Sequence, residues 1–326
     1  MLSPDEQSPY DRLMAKIKTL NESIWEDRVH HPVLSDWLSN FDSGEDPKTG
    51  EQLHALHLLS RFTYFADAEF RELLRALYRD LYKYRVIATL RRENRDMTDT
   101  VELNSLFERE LETTRFLGIG NPSKSGTHLL YYYRQENELP ASLFINPHEI
   151  FASDAEGAMR TLRFPNVSRY VFIDDFAGSG DQAKNYSDDT LVPLRKLKPN
   201  VILEYHVPVA TAAAVKEIKN KTEFDEVRAI FKLDDSFKCF SDRSRYFGDD
   251  SEDDAKIDRK FCYEMAEHYG WIIYPSHPLG YDDGQLLLGF HHNTPDNSLP
   301  IIWCDASCDP SGKGNQWRPA FRRYHK

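Results

Sequence analysis

Two patterns of hydrophobic positions divide the sequence near residue 112. Over residues 10–112, apolar positions recur at intervals of three and four, which is typical of amphipathic helices. The clearest case is the stretch 68–90, whose helical stripe consists of Phe70, Leu73, Leu74, Leu77 and Leu81. We therefore predict an α-helical module over residues 1–112.

After this point, short apolar runs alternate with helical stretches. The alternation predicts parallel strands joined by helical crossovers, and several runs are apolar on both faces, as buried parallel strands are. The predicted strands are 116–119, 170–173, 201–209, 227–233, 271–274 and 285–290. The predicted crossover helices are 127–137, 181–197, 210–220 and 254–268. We therefore predict an α/β domain with a mostly parallel sheet over residues 113–326.

Composition narrows the class of protein without assigning a function. The chain has 326 residues, a charged fraction of 29%, four cysteines and a net charge of −12. This length fits two domains, and the negative charge disfavours DNA binding by the surface as a whole. No apolar run approaches the roughly 20 residues that span a bilayer, and the first residues lack the pattern of a secretory leader. We expect a cytoplasmic protein that makes no membrane contact.

The strongest chemical motif lies at the end of the predicted strand 170–173. Two carboxylates, Asp174 and Asp175, end the strand, and the small residues Gly178 to Gly180 then open a helix. Backbone N–H groups of such a turn can close on a phosphate, and the helix N-terminus adds its positive dipole end. By strand alternation the two carboxylates point in opposite directions, and at least one of them can accept hydrogen bonds from ribose hydroxyls. The alternative is an ordinary strand-turn-helix corner with solvated or capping acids.

The segment Val171 to Gln182 resembles the phosphoribosyl-pyrophosphate loop of the phosphoribosyltransferases. There, a hydrophobic strand precedes two acids, two variable residues, two small or hydroxylated residues, a glycine, any residue and a threonine. The resemblance implies that Asp174 and Asp175 hold the ribose and that the phosphate is bound by Ala177, Gly178, Ser179, Gly180, Asp181 and Gln182. Gly178 stands where purine-salvage members often carry an Asp that acts on the base, which argues against that reaction. Gln182 replaces the closing threonine and removes one hydroxyl from the phosphate site.

A second loop of small residues lies one crossover earlier, after the predicted strand 116–119. Its residues Ser123, Lys124, Ser125 and Gly126 combine one point charge with hydrogen-bond donors, which suit a diphosphate. In the phosphoribosyltransferases this position holds the pyrophosphate loop. The alternative is a Ser/Gly-rich cap of the following helix.

Residues 123–137 and 289–303 resemble phosphoribosyltransferase-like domains attached to bacterial conflict and defence operons. This resemblance implies a protein of antiphage defence that binds phosphoribosyl pyrophosphate or a nucleotide and transfers or cleaves at ribose carbon 1. In such an enzyme Asp174 and Asp175 would hold Mg²⁺ and stabilise an oxocarbenium ion, and Lys124 would stabilise the departing diphosphate.

Two other functions remain open. The same pocket without turnover would make a nucleotide-sensing module, and a scaffold would use the helical module to dock a defence-complex protein, RNA or DNA. The candidate docking surface is a basic aromatic stretch, for which a solvated helix face is the alternative. It consists of Arg79, Lys83, Arg85, Arg91, Arg92 and Arg95, interleaved with Tyr78, Tyr82 and Tyr84.

Overall fold

The computed structural model describes residues 8–42, 50–119, 126–153, 160–248, 257–305 and 317–323. Contacts divide the chain into two compact units, one formed by Met1–Phe70 with Asp234–His325 and the other by Arg71–Leu233. This division differs from the single boundary near residue 112 that the sequence indicates. The helical pattern before residue 112 identifies helices, but it does not show that those after residue 70 pack with the parallel sheet.

Helices and strands follow in this order along the chain. The described α-helices are α1 (Pro9–Ser23), α2 (His31–Leu38), α3 (Glu51–Ser60), α4 (Asp67–Ala76), α5 (Tyr84–Glu93), α6 (Thr100–Glu112), α7 (Gly126–Glu136), α8 (Asp181–Tyr186), α9 (Val192–Leu197), α10 (Ala212–Lys221), α11 (Arg259–Ile273) and α12 (Pro300–Trp303). The strands are β1 (Thr63–Phe65), β2 (Thr114–Gly118), β3 (Phe151–Ser153), β4 (Arg160–Leu162), β5 (Arg169–Ile173), β6 (Phe176–Ala177), β7 (Ile202–Thr211), β8 (Glu226–Leu233) and β9 (Leu288–Phe290). Two π-helical segments, Leu77–Lys83 and Ser187–Leu191, join α4 to α5 and α8 to α9.

The unit Arg71–Leu233 is built on a parallel sheet in the order β2, β5, β7, β8. Helices α8 and α9 connect β6 to β7, and α10 connects β7 to β8, because parallel neighbours need crossover connections. Strands β3 and β4 form a separate antiparallel pair. The protein is therefore α/β with a mostly parallel central sheet, and this prediction is confirmed.

Strand β6 continues the line of β5 along β7, and the break between them falls at the two acids. Ile173 faces His206 and Phe176 faces Val209, so the unchanged register places Asp175 opposite Pro208. In a parallel ladder the N–H of residue 208 would bond the carbonyl oxygen of residue 174, but proline has no N–H. The sequence thus interrupts the ladder at the carboxyl edge of the sheet.

Both faces of this sheet are buried. One face packs against α8, α9 and α10 through a core that includes Tyr170, Phe172 and Tyr205. On the other face, the Tyr82 ring centroid lies 5.1 Å from that of Phe116, and the Tyr82 hydroxyl donates to Thr114 Oγ1 at 2.9 Å.

The buried positions of the π-helical segment change the interpretation of the basic aromatic stretch. Tyr78 and Tyr82 are buried, so these two rings belong to the core and not to a docking surface. Tyr84 is 56% exposed, and the arginines of α5 are exposed as well. A π turn adds a residue to the helical repeat, which explains why Tyr82 is fully buried while Leu81 of the predicted stripe is only half-buried.

In the unit formed by Met1–Phe70 with Asp234–His325, one predicted strand is wrong and a second has a partner outside the large sheet. Residues 271–274 are not a strand, because the buried stripe of α11 continues through Gly270 to Ile273. Strand β9 exists, but it pairs with β1 and not with the large sheet. Strand β1 in turn interrupts the predicted all-helical module. None of the helices in the described ranges is long and apolar enough to cross a bilayer.

Candidate functional site

The candidate site is the turn formed by residues 174–182, where β5 ends, β6 follows and α8 begins. Thr211, the last residue of β7, is hydrogen-bonded to this turn. Its hydroxyl donates to the carbonyl oxygen of Gly178 at 2.6 Å and accepts from the N–H of Ala214 at 2.9 Å. One side chain therefore caps α10 and holds the turn at the same time.

Asp174 lies below the surface, with 5% of its area exposed. Its Oδ2 accepts from the Tyr205 hydroxyl at 2.9 Å, and its Oδ1 accepts from the N–H of Asp175 at 3.0 Å. Tyr205 is fully buried, and burial together with the Asp174 carboxylate raises its pKa well above the usual range. The phenol therefore stays protonated and keeps donating to Asp174.

Asp175 is the more exposed of the two acids. Its Oδ1 accepts from the N–H of Phe176, the first residue of β6, at 2.9 Å. The two carboxylates thus differ in environment, although the sequence predicts the same role for both.

The part of the turn that is predicted to bind phosphate contains Gly180, which has a φ of 86° and forms the N-cap of α8. A Cβ at this position would lie 2.9 Å from Cγ1 of Ile218, which is closer than real contacts allow. Ser179 Oγ donates to Asp181 Oδ2 at 2.7 Å and accepts from the Asp181 N–H at 3.3 Å. The left-handed glycine lets the turn form, and Ser179 bonds the first residue of α8; phosphate binding by this turn stays a prediction.

Charge at the start of α8 is balanced by a lysine. Lys184 Nζ lies 2.7 Å from Asp181 Oδ1 and 3.2 Å from Glu217 Oε1. Hydrogen bonds to these two carboxylates raise the pKa of Lys184, which keeps it charged. The acid at the first position of α8 therefore has a cation beside it.

The second predicted loop begins beside this turn. Gln182 Nε2 donates to the carbonyl oxygen of Ile119, just after β2, at 3.5 Å. Gly126 is the first residue of α7. Ser123, Lys124 and Ser125 lie outside the described residues. The structure thus brings the start of the predicted pyrophosphate loop to the turn, while the role of Lys124 stays a prediction.

A buried group of charges, which the sequence pattern did not identify as a site, lies on strands of the same sheet. Glu204 forms ion pairs with Arg169 and with Arg228, the latter at 2.9 Å, and His206 Nε2 lies 2.9 Å from Glu204 Oε2. Burial alone would raise the pKa of Glu204, but His206 and the two arginines lower it to about 2. The signal was visible in the sequence, because residues 204 and 206 share one face of an otherwise apolar run.

Magnesium has a limited set of protein ligands at this site. Among the residues that the structure describes, no group of three or more His, Cys, Asp or Glu side chains could hold a metal ion. Magnesium on phosphate substrates commonly uses one or two carboxylates together with substrate oxygens and water, so a single carboxylate suffices. The more exposed Asp175 fits that role, whereas both oxygens of Asp174 already accept protein hydrogen bonds.

Comparison with known proteins gives one extensive match. The model of the PRTase-CE family matches residues 34–323. No curated protein matches the sequence. One solved structure with some similarity is the xanthine-guanine-hypoxanthine phosphoribosyltransferase of Helicobacter pylori. Its identity to this chain is 9% and the TM-score is 0.28, and the alignment covers 53% of this chain and 89% of the Helicobacter protein. The orotate phosphoribosyltransferase of Aeropyrum pernix follows at 14% identity and a TM-score of 0.23, covering 40% and 73%. Scores this low do not establish a shared fold.

Proposed function

The chain belongs to the PRTase-CE family, and from this premise we propose that the turn 174–182 binds a phosphoribosyl compound or nucleotide through its ribose 5-phosphate. The observation that carries the proposal is the order of parts at the sheet edge. A partly exposed carboxylate at Asp175 is followed within five residues by the left-handed Gly180 and a helix start. This order pairs a hydroxyl acceptor with a phosphate site.

The reaction that suits this arrangement is transfer or cleavage at ribose carbon 1. The bond from carbon 1 to the leaving group breaks and its electron pair goes to the leaving group, while a base nitrogen or water forms the new bond and releases a proton to solvent. Asp175 would stabilise the positive charge that develops on the sugar, and Lys124 would stabilise a departing diphosphate. Magnesium, when bound by Asp175 and the ligand, would supply further charge neutralisation.

A nucleotide-sensing module is the second candidate, and Gly178 favours it. This position has no side chain that could act on a base, and the neighbouring Asp174 is engaged by protein groups. Both candidates are compatible with a role in antiphage defence. In that setting the exposed arginines of α5 are the surface we propose for a protein, RNA or DNA partner.

Incubating the pure protein with phosphoribosyl pyrophosphate and a pool of nucleotides, followed by mass spectrometry, tests for turnover. We expect a product with a broken or exchanged bond at carbon 1. Replacing Asp174 and Asp175 with Asn removes the charge but keeps the volume, so turnover should fall by about a hundredfold or more. Binding should weaken far less, because the phosphate turn survives. Equal activity in both proteins would show that the turn is not catalytic.

A further inference from the structure

The two acids of the turn are held in different ways, and the difference begins with Tyr205. This side chain lies in the core between the sheet and α8 to α10, and its hydroxyl donates to Asp174. If Asp174 turned toward a ligand, the Tyr205 hydroxyl would lose this bond. A buried donor left without its partner disfavours that arrangement by about tenfold or more.

The backbone strengthens the same preference. Asp174 also accepts the N–H of Asp175, and the Asp174 N–H bonds the carbonyl oxygen of His206 at 3.2 Å. Asp174 therefore shapes the peptide that presents Asp175, at the position where Pro208 prevents the ladder from doing so. Its role in the turn is structural support of its neighbour.

We propose that Asp174 is a positioning residue held by Tyr205 and that Asp175 is the acid that contacts the sugar. This inference rests on the proposed function, and it specifies the ligand class. Two carboxylates can each accept from one of two vicinal hydroxyls. A single carboxylate distinguishes ribose from 2-deoxyribose less strongly, because it does not bind each hydroxyl separately. The site therefore accepts 2-deoxyribose 5-phosphate nearly as well as ribose 5-phosphate.

Calorimetric titration of the full chain with ribose 5-phosphate and with 2-deoxyribose 5-phosphate tests this inference. We expect the two dissociation constants to differ by less than about tenfold, the scale of one ordinary hydrogen bond. A preference for ribose 5-phosphate above that limit would overturn the inference and leave the proposed function standing. If neither phosphosugar binds, the proposed function fails and the inference fails with it.

Variants of two buried tyrosines separate positioning from general stability. Tyr205→Phe releases Asp174 toward the ligand, so the preference for ribose over deoxyribose should rise by about tenfold. Tyr170→Phe is the matched control, because Tyr170 is equally buried in the same core and its hydroxyl has no hydrogen-bond partner among the described residues. This control should keep the wild-type ratio. An unchanged ratio in Tyr205→Phe would refute positioning by Tyr205, and the wild-type titration decides the inference if that variant does not fold.

Discussion

At the scale of single residues, the turn at residues 174–182 depends on side chains that are small or absent. Gly180 adopts a left-handed conformation and lies against Ile218 of α10, so the turn tolerates neither a Cβ nor a different backbone angle here. Ser179 donates to the carboxylate of the first residue of α8 and accepts from its N–H. Gly180 thus allows the turn to form, and Ser179 ties the turn to the helix.

Replacing Gly180 with alanine should lower the free energy of unfolding by about 1–3 kcal/mol, because the new Cβ meets both a strained φ and a packed neighbour. Gly248→Ala is the control, since nothing lies within 4 Å of a Cβ built there. Urea denaturation of both variants measures the difference. Equal stability of the two would mean that the turn relaxes without cost.

Replacing Ser179 with aspartate should abolish binding of ribose 5-phosphate, since it places a negative charge where the phosphate is proposed to bind. Ser105→Asp adds the same charge on an exposed position of α6 and should leave the affinity unchanged. Calorimetry gives both affinities. Retained affinity in Ser179→Asp would place the phosphate away from this turn.

At the scale of elements, strand β7 has one apolar face and one face with buried charges. One face contributes Leu203 and Tyr205 to the apolar core, and the other carries Glu204 between two arginines. Buried charges of this kind are destabilising when one partner is removed, because the remaining charges have no compensation.

Replacing Glu204 with glutamine should therefore lower the free energy of unfolding by about 3–5 kcal/mol. The folded-state pKa of Glu204 is lowered from 4.5 to about 2, so its stabilisation is present above pH 4.5 and is lost as the pH falls toward 2. Denaturation between pH 2 and 7 should show this loss in the wild type and a flatter profile in the variant. Glu223→Gln, at a position with a 45% exposed side chain, serves as the control. Identical profiles of wild type and Glu204→Gln would contradict the claim that the ionised Glu204 carboxylate stabilises the fold.

Most elements of the parallel sheet could be predicted, because their apolar runs are short and bounded by small or polar residues. The strand before Asp174 and the helical span after Gly180 agree with the prediction within a few residues. Residues 271–274 were misassigned because four apolar residues do not distinguish a strand from the last turn of a helix. The unequal environments of Asp174 and Asp175 could not be predicted, since they depend on a tyrosine thirty-one residues later.

At the scale of the whole molecule, the family match spans both compact units. The predicted boundary at residue 112 is therefore not an edge of the family. The net charge of −12 and the exposed arginines of α5 act in opposite directions on any nucleic-acid partner.

We predict that the isolated chain binds duplex DNA weakly and that added salt removes the binding steeply, because only a local basic surface opposes the overall repulsion. Replacing Arg85 and Arg92 with alanine should remove most of what remains. Fluorescence anisotropy at several salt concentrations measures both effects. Tight binding that resists salt would contradict this account.

A crystal structure of the full chain with ribose 5-phosphate tests the central claim most directly. We predict that the phosphate lies against the backbone N–H groups of residues 178–182 and that a sugar hydroxyl donates to Asp175, with Asp174 still bonded to Tyr205. A phosphate bound elsewhere, or a ligand-free turn in crystals soaked at saturating ligand, would contradict the claim that this turn is a ribose 5-phosphate site.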